Sequence, residues 1–390
     1  MKKICYVVTI PLTIRAFFLP QLRYLAAHGF DVTVVCGDDG RIAGELGSSI
    51  HFHGIEMPRG VSVLGSLRAI ARMKAFFKEQ AFDLIQYSTP NAGLYASIAA
   101  KMAGCEVRSY HLMGNRFLGS KGLGRLFLKT MDRVACGLST SIECVSRSNL
   151  ELGAAEGVYP REKATVVWNG SSGGVDVKRF DRSQRESWRS ALRRELGYGE
   201  ADFIFGCVGR ITGDKGINDL LEAFFQLQGD AKLFILGSDE KDGTVDAELW
   251  RKAVESPKVR IHAPVEDVER YYAMLDVLVF PSHREGFGNV VIEAAAMETP
   301  AIVSDIPGPI DAILAEKTAI CFPVRNVSEL AAAMRRIRRK DIRQMGAAAA
   351  DYVAQAFDSD LLCEKILERK RALLGIDPRP EARPDAPDEK

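Results

Sequence analysis

Two glutamates, Glu285 and Glu293, flank a glycine-rich turn and could bring two carboxylates to one ligand site. Residues 286–290 join an apolar run, which predicts a buried strand, to a segment that predicts a helix. Glycines at such a turn let backbone N–H groups approach a ligand, and the start of a helix favours negative charge. Carboxylates accept hydrogen bonds from sugar or ribose hydroxyls, whereas free N–H groups suit phosphate. The segment predicts a nucleotide-sugar site, with an ordinary turn and a solvated glutamate as the alternative.

Two cations, Arg210 and Lys215, follow the predicted strand 203–208 and are flanked by glycines. An arginine can fork onto two phosphate oxygens while a lysine acts as a point charge, so the pair predicts a diphosphate site. A solvated, charged turn is the alternative. The spacing does not fit a Walker A loop, and no G-x-G-x-x-G follows a strand, which weakens a nicotinamide hypothesis.

Two further polar features have structural alternatives. His111 follows the predicted strand 107–110, and a lone histidine at such a place is more often structural than catalytic. Asp358 and Asp360 resemble a metal-binding D-x-D pair, but they precede a helical pattern and are better interpreted as a helix cap. We therefore expect no essential metal.

The elements that must position these residues alternate between short apolar runs and amphipathic segments along the whole chain. The pattern predicts strands at 4–10, 31–36, 84–87, 107–110, 141–145, 165–168, 203–208, 232–236, 259–263, 277–281, 301–304 and 319–322. Predicted helices include 17–28, 63–79, 93–103, 122–136, 217–226, 245–253, 268–274, 291–297 and 327–338. Apolar strands separated by helices predict an α/β fold with parallel sheets covered on both faces.

Two doubly wound, Rossmann-like domains facing each other across a cleft fit this pattern and the length of 390 residues. We predict a first domain at 1–170, a hinge at 171–198 and a second domain at 199–354. A helix at about 355–372 should pack back on the first domain. The Pro- and acid-rich tail 377–390 should be disordered.

The composition favours a cytoplasmic protein of ordinary charge. A net charge of +1 gives no case for nucleic acid, and eight scattered cysteines without C-x-x-C pairs suit a reduced compartment. Neither a signal peptide nor a membrane-spanning segment is predicted. Positive charge is nevertheless concentrated in residues 59–133, with 12 Lys and Arg against 4 Asp and Glu. The predicted basic amphipathic helices 63–79 and 121–135 favour peripheral contact with an anionic membrane, although any helix on a sheet has a charged outer face.

In these motifs the chain resembles a retaining glycosyltransferase of the GT-B fold. It is similar to the family with an E-x7-E motif and, within it, to the bacterial capsule and O-antigen polysaccharide branch. The first carriers of the resemblance are Glu285 with Glu293, and Arg210 with Lys215. The others are the interdomain residues 169–180 and His111.

The resemblance implies a role for each matching residue. Glu293 would bind the ribose, Glu285 the donor sugar, and Arg210 with Lys215 the departing diphosphate. His111 would position the donor or the acceptor. The remaining donor-binding residues would be Gly209, Val265, Gly286, Phe287, Gly288, Asn289 and Val290, and Asn169 with Gly170 would form the hinge. The implied donor is a UDP-linked hexose or N-acetylhexosamine, the acceptor a polyprenyl-diphosphate-linked saccharide, and no cofactor or metal is needed.

The chain departs from the family pattern at two places: residues 9–15 lack the usual glycines, and Gly288 replaces a frequent proline. Two alternative functions stay open at this stage. A sugar-nucleotide 2-epimerase would change the sugar without detaching it, and a non-catalytic binding subunit would release no nucleoside diphosphate.

Overall fold

Two parallel β-sheets form the framework of the protein, described here by a computed structural model for residues 1–58 and 62–376. The first sheet has the order β3-β2-β1-β4-β5-β6-β7. Its strands are β1 (Lys2–Val7), β2 (Phe30–Cys36), β3 (Ile50–Gly54), β4 (Leu84–Ser88), β5 (Val107–Leu112), β6 (Ser141–Cys144) and β7 (Ala164–Val166). The second sheet has the order β10-β9-β8-β11-β12-β13. Its strands are β8 (Ile204–Val208), β9 (Lys232–Leu236), β10 (Val259–His262), β11 (Val277–Phe280), β12 (Ala301–Ser304) and β13 (Ala319–Phe322).

Helices cover both faces of each sheet, as the alternating sequence pattern predicts. In the first half they are α1 (Pro11–Thr13), α2 (Leu19–Ala27), α3 (Ile42–Leu46), α4 (Val63–Gln80), α5 (Pro90–Ala103), α6 (Gly122–Leu138) and α7 (Arg147–Ala155), with a π-helical turn (Ile14–Phe18) between α1 and α2. In the second half they are α8 (Arg185–Glu195), α9 (Ile217–Phe225), α10 (Ala247–Glu255), α11 (Val268–Met274), α12 (Asn289–Ala296), α13 (Val327–Ile337), α14 (Ile342–Ala356) and α15 (Ser359–Leu373). The prediction of two Rossmann-like α/β domains is confirmed.

Each sheet separates two hydrophobic cores because successive strand residues point to opposite faces. Along β1, Cys5 and Val7 enter one core, while Ile4 and Tyr6 enter the other. All four residues of β11 are buried on one face or the other. Strands enclosed on both sides therefore appear in the sequence as continuous apolar runs.

Several elements, including α3 and α7, lie where the sequence pattern did not predict them, and three others are informative. The edge strand β3 is mostly accessible and contains two histidines, so it lacks the apolar run of a central strand. Helix α8 lies inside the predicted hinge 171–198 and packs against α11, which corrects the description of that whole segment as a linker. Its sequence is highly charged, but the Arg189 and Arg193 side chains bind Asp276 of the second domain at 2.5 and 2.8 Å. Helix α14 is alanine-rich and packs against α12.

The last helix, α15, returns to the first domain and packs against α2. The Asp358 side chain accepts hydrogen bonds from the backbone N–H groups of Asp360 and Leu361, at 2.8 and 3.1 Å. Asp358 is thus the helix cap that the sequence predicts. The predicted disordered tail 377–390 lies outside the described residues.

Candidate active site

A cavity of about 410 Å³ lies between the two domains, and the carboxyl ends of strands from both sheets contribute to its wall. The first domain contributes Met113, which follows β5, and Val145, which follows β6. Ten of the residues predicted to bind the donor or to act in catalysis line it: Gly209, Arg210, Lys215, Glu285, Gly286, Phe287, Gly288, Asn289, Val290 and Glu293. The fold therefore brings the glycine-rich turn and the two cations together, as expected for ligand binding at strand ends.

Lys215 is held against the first glutamate of the motif. Its Nζ lies 2.6 Å from Glu285 Oε1, and both side chains are largely enclosed. Arg210 is more exposed and lies 3.8 Å from Asp214, whose carboxylate also accepts a hydrogen bond from Thr212 at 2.6 Å. Each cation is thus held by a carboxylate. The phosphates of an entering diphosphate can take the place of that carboxylate as the partner of the cation.

Glu293, the second glutamate, lies in the middle of α12 and reaches the cavity wall. The Tyr272 hydroxyl donates a hydrogen bond of 2.8 Å to its carboxylate. Burial raises the pKa of Glu293, and this hydrogen bond opposes the shift. A carboxylate fixed in this way offers its remaining lone pairs to a ligand hydroxyl.

Two glycines permit the tight turn between the glutamates. A side chain at Gly286 would place its Cβ 2.1 Å from the carbonyl oxygen of Met113, so only glycine allows this approach of the domains. Gly288 has φ of +106°, which glycine favours and proline cannot adopt. The replacement of the family's frequent proline by Gly288 therefore accompanies a backbone conformation that favours glycine.

The first domain holds the same turn through residues that the sequence analysis missed. The Ser146 hydroxyl and the Asn149 amide each donate to the carbonyl oxygen of Gly286 at 2.8 Å, and Asn149 also donates to that of Glu285 at 3.1 Å. Nearby, the backbone N–H and hydroxyl of Ser148 donate to Asp311 at 2.8 and 2.6 Å. The available signal was a Ser- and Asn-rich segment directly after the predicted strand 141–145.

His111 lies behind the cavity wall, outside the lining formed by the described residues. Its Nε2 is 3.3 Å from the hydroxyl of Ser172, which does line the cavity, and its ring packs edge-on against Phe18. Burial lowers the pKa of His111 to about 4, with Glu143 opposing the shift and Lys370 adding to it. The imidazole is therefore neutral near pH 7 and suits hydrogen bonding rather than acid catalysis.

The other predicted residues lie around the site. Val265 is partly buried in the segment after β10 and packs on the second-domain core. It is not one of the described residues that line the cavity. Asn169 donates to the carbonyl oxygen of Ala356 at 3.1 Å. Gly170 has φ of +98° and lies directly against the carbonyl oxygen of Val145. These two residues thus lie where both domains and the end of α14 meet, and their role as a hinge stays a prediction.

No group of three or more metal-binding side chains with suitable geometry occurs in the part of the chain that the structure describes. The eight cysteines are free thiols, and all but Cys321 are buried. The charged residues that line the cavity are two cations, Arg210 and Lys215, and two carboxylates, Glu285 and Glu293.

Two family models match the chain, one on each domain. The model described as "Glycosyl transferases group 1" matches residues 202–340, and the model "Glycosyl transferase 4-like" matches residues 3–145. Both models describe glycosyltransferases, and together they cover most of the chain, so the protein is a glycosyltransferase of the GT-B fold.

Similar proteins of assigned role match over most of the chain. The capsular polysaccharide biosynthesis glycosyltransferase CapM of Staphylococcus aureus is 28% identical over 372 residues, which cover 94% of this chain and 96% of CapM. An Escherichia coli UDP-Gal:alpha-D-GlcNAc-diphosphoundecaprenol alpha-1,3-galactosyltransferase is 24% identical over 317 residues. This match covers 78% of this chain and 80% of the galactosyltransferase.

Solved structures share the fold. The Anabaena protein HepE in complex with UDP superposes with a TM-score of 0.78 at 20% identity, covering 95% of this chain and all of HepE. WaaG, a glycosyltransferase involved in lipopolysaccharide biosynthesis, superposes with a TM-score of 0.72 at 18% identity, over 95% of this chain and 99% of WaaG.

Proposed function

We propose that this protein transfers a hexose or N-acetylhexosamine from a UDP-sugar to a glycan acceptor, with retention of the anomeric configuration. The observation that carries the proposal is the arrangement of Lys215, Glu285 and Glu293 in one interdomain cavity. Cations for a diphosphate and carboxylates for hydroxyls are the two kinds of partner that a nucleotide sugar needs.

In the proposed reaction, Glu293 binds the ribose hydroxyls and Glu285 the hydroxyls of the donor sugar. Backbone N–H groups at the start of α12 hold the sugar and the distal phosphate. The bond from the anomeric carbon to the phosphate oxygen breaks, and the acceptor oxygen bonds to the same face of that carbon. The proton of the acceptor hydroxyl passes to the departing phosphate.

Arg210 and Lys215 stabilise the negative charge that develops on the leaving diphosphate. This charge is largest in the transition state, so the two cations affect turnover more than binding. They also supply the positive charge that a metal provides elsewhere, and the proposed reaction is therefore metal-independent. The neutral His111 acts through Ser172, at 3.3 Å, to orient the donor or acceptor.

The proposed substrates follow from the relatives. UDP is favoured because HepE was solved with UDP and the Escherichia coli relative uses UDP-Gal. A polyprenyl-diphosphate-linked saccharide is favoured because that relative acts on GlcNAc-diphosphoundecaprenol, and CapM acts in capsular polysaccharide biosynthesis. Assembly of a bacterial surface polysaccharide, of the capsule or O-antigen kind, is the process proposed.

Such an acceptor resides in a membrane, and two helices of the first domain have matching surfaces. Among the described residues no helix combines the length and apolar character of a membrane span. However, Leu64 and Leu67 of α4 are 71% and 58% exposed, and Leu123 and Phe127 of α6 are 85% and 54% exposed. Both helices flank α5 and also present basic residues. We propose peripheral attachment of this face to the cytoplasmic side of the membrane.

The test is nucleoside diphosphate release from a panel of UDP-, GDP- and ADP-sugars, with and without a polyprenyl-diphosphate-linked sugar. Release from one UDP-sugar that rises with the acceptor, and a product with the donor's anomeric configuration, are expected. The same rate should persist after treatment with a chelator. Nucleotide binding without release would favour a binding subunit, and a changed sugar still attached to the nucleotide would show an epimerase.

A further inference from the structure

Arg284 lies beside the donor cavity, is not part of its lining and faces the first domain. It directly precedes Glu285 in the chain, and its Nη2 lies 3.2 Å from Asp214. Asp214 also lies 3.8 Å from Arg210, so the two arginines share one carboxylate.

The Arg284 guanidinium is incompletely paired. Its Nε is buried and has no hydrogen-bond partner among the described residues. A Cβ added to Gly119 would lie 2.8 Å from this Nε and 3.6 Å from Cζ, so the guanidinium lies directly against the backbone of the first domain. A buried donor without a partner costs free energy unless a ligand or water satisfies it.

The neighbouring segment of the first domain combines exposed basic residues with exposed apolar residues. A site for an anionic group attached to an apolar chain needs this combination. Gly119 ends the 3₁₀ turn Arg116–Gly119, and Lys121 immediately precedes α6. Arg116 and Lys121 are exposed and form no ion pair among the described residues, in contrast to Arg125, which binds Glu156 at 2.8 Å. The exposed apolar residues of α6 begin directly afterwards, at Leu123.

We propose that Arg284, with Arg116 and Lys121, binds the diphosphate of a prenyl-linked acceptor, while the start of α6 contacts the prenyl chain. This inference rests on the proposed function and assigns the acceptor a site separate from that of the donor phosphates. The acceptor sugar then extends from the diphosphate toward Glu285, the next residue after Arg284. A saccharide without diphosphate lacks the partner that Arg284 is placed to bind.

The test is direct binding, which does not depend on turnover. Two probes are compared in neutral detergent micelles: a short prenyl-diphosphate-linked N-acetylhexosamine and the same sugar on the same prenyl chain without phosphate. Wild type should bind the diphosphate probe more tightly, and Arg284→Ala should weaken that binding about tenfold, because charge-assisted hydrogen bonds are lost. Binding of the phosphate-free probe should stay within twofold of wild type.

Three further measurements give the inference its controls. Arg339→Ala removes an exposed arginine of the second domain and should leave both affinities unchanged. Thermal unfolding of Arg284→Ala and Arg284→Lys shows whether each variant keeps the fold. The conservative Arg284→Lys should also recover part of the affinity for the diphosphate probe. The affinity for UDP alone identifies any contribution of Arg284 to the donor site.

Equal binding of the diphosphate probe by wild type and Arg284→Ala overturns the inference. So does an equal loss for both probes, or a loss confined to UDP, which would place Arg284 in the donor site. Binding of both proteins to anionic vesicles is measured as well. If Arg284→Ala weakens binding only there, Arg284 contacts membrane headgroups instead. Failure of the proposed function is a separate result, since it would appear as absent nucleotide release by wild type.

Discussion

Lys215 and Glu285 form an ion pair of 2.6 Å between two loops of the second domain, each at the end of a strand. The loops are also joined by a hydrogen bond of 2.9 Å from the backbone N–H of His283 to the carbonyl oxygen of Asp214. The cation proposed to stabilise the leaving phosphate is thus positioned by the carboxylate proposed to bind the sugar. This coupling makes the two side chains one functional unit.

Replacement of Lys215 by alanine should lower the turnover rate by about 100-fold or more, because the lost charge acts mainly in the transition state. The Michaelis constant for the donor should change much less. Steady-state release of nucleoside diphosphate measures both constants. Lys317→Ala, at an exposed position outside the cavity lining, is the matched control. Turnover near that of wild type would remove Lys215 from the diphosphate site.

The sequence allowed the second-domain half of this site to be predicted in detail, because local order determines it. Arg210, Lys215 and the glycine-rich turn each follow a strand that a continuous apolar run identifies. The meeting of those strand ends then follows from the parallel sheet alone. The 2.6 Å pairing of Lys215 with Glu285 depends on loop conformations and did not follow from the motifs.

The first-domain half was less predictable because it depends on contacts between distant segments. Ser146 and Asn149 bind the carbonyl oxygen of Gly286 across about 140 residues of sequence, and the polar residues after β6 gave no indication of that partner. His111 was predicted to follow its strand, but it lies inside β5, one residue before the strand ends. Its enclosure by Phe18 and Ser172 depends on packing. Helix α8 was missed because its arginines bind buried acceptors rather than form a charged outer face.

The C-terminal helix is joined to the first domain by a buried ion pair, which predicts a strong effect on stability. Lys370 Nζ lies 2.9 and 2.8 Å from the two carboxylate oxygens of Glu143, and both side chains are almost completely buried. Lys370→Met removes the nearer cation and leaves the buried carboxylate with Arg369, whose Nε lies 3.5 Å away. The substitution should lower the free energy of unfolding by up to about 3–5 kcal/mol. Urea denaturation monitored by circular dichroism measures the change.

The double variant Lys370→Met/Glu143→Gln separates a buried charge from a lost contact. Because it removes both charges, it should be more stable than Lys370→Met alone. A double-mutant cycle that includes Glu143→Gln gives the coupling energy. Additive effects of the two substitutions would show that the pair contributes little as a pair.

Asp132 of α6 should make the stability depend on pH near neutrality. Burial raises the pKa of its carboxyl group to about 7, while the Tyr110 hydroxyl, 3.4 Å away, and Arg116 oppose the shift. The folded state therefore binds this proton more tightly than the unfolded state does, and ionisation destabilises the protein as the pH rises from about 4 to about 7. Asp132→Asn removes the free-energy cost of ionising this buried carboxyl group. The melting temperature of the variant should therefore exceed that of wild type at about pH 8 and approach the wild-type value at about pH 4. A deficit of equal size at both pH values would show that the carboxylate itself stabilises the fold.

The exposed apolar residues at the start of α6 should determine attachment to membranes. Leu123 and Phe127 are 85% and 54% exposed, so replacing both with aspartate should leave the fold intact and place negative charge on the proposed contact face. Binding to vesicles that contain anionic lipid should weaken by about tenfold or more, because apolar contact is lost and the new charges are repelled. Co-sedimentation at low salt measures the binding, and higher salt should weaken binding of the wild type as well.

Val254→Asp, at a 62% exposed position on α10 of the second domain, adds the same kind of charge elsewhere and should change little. Equal losses in both variants would trace the effect to overall charge, and unchanged binding of the α6 variant would remove this face from the membrane contact.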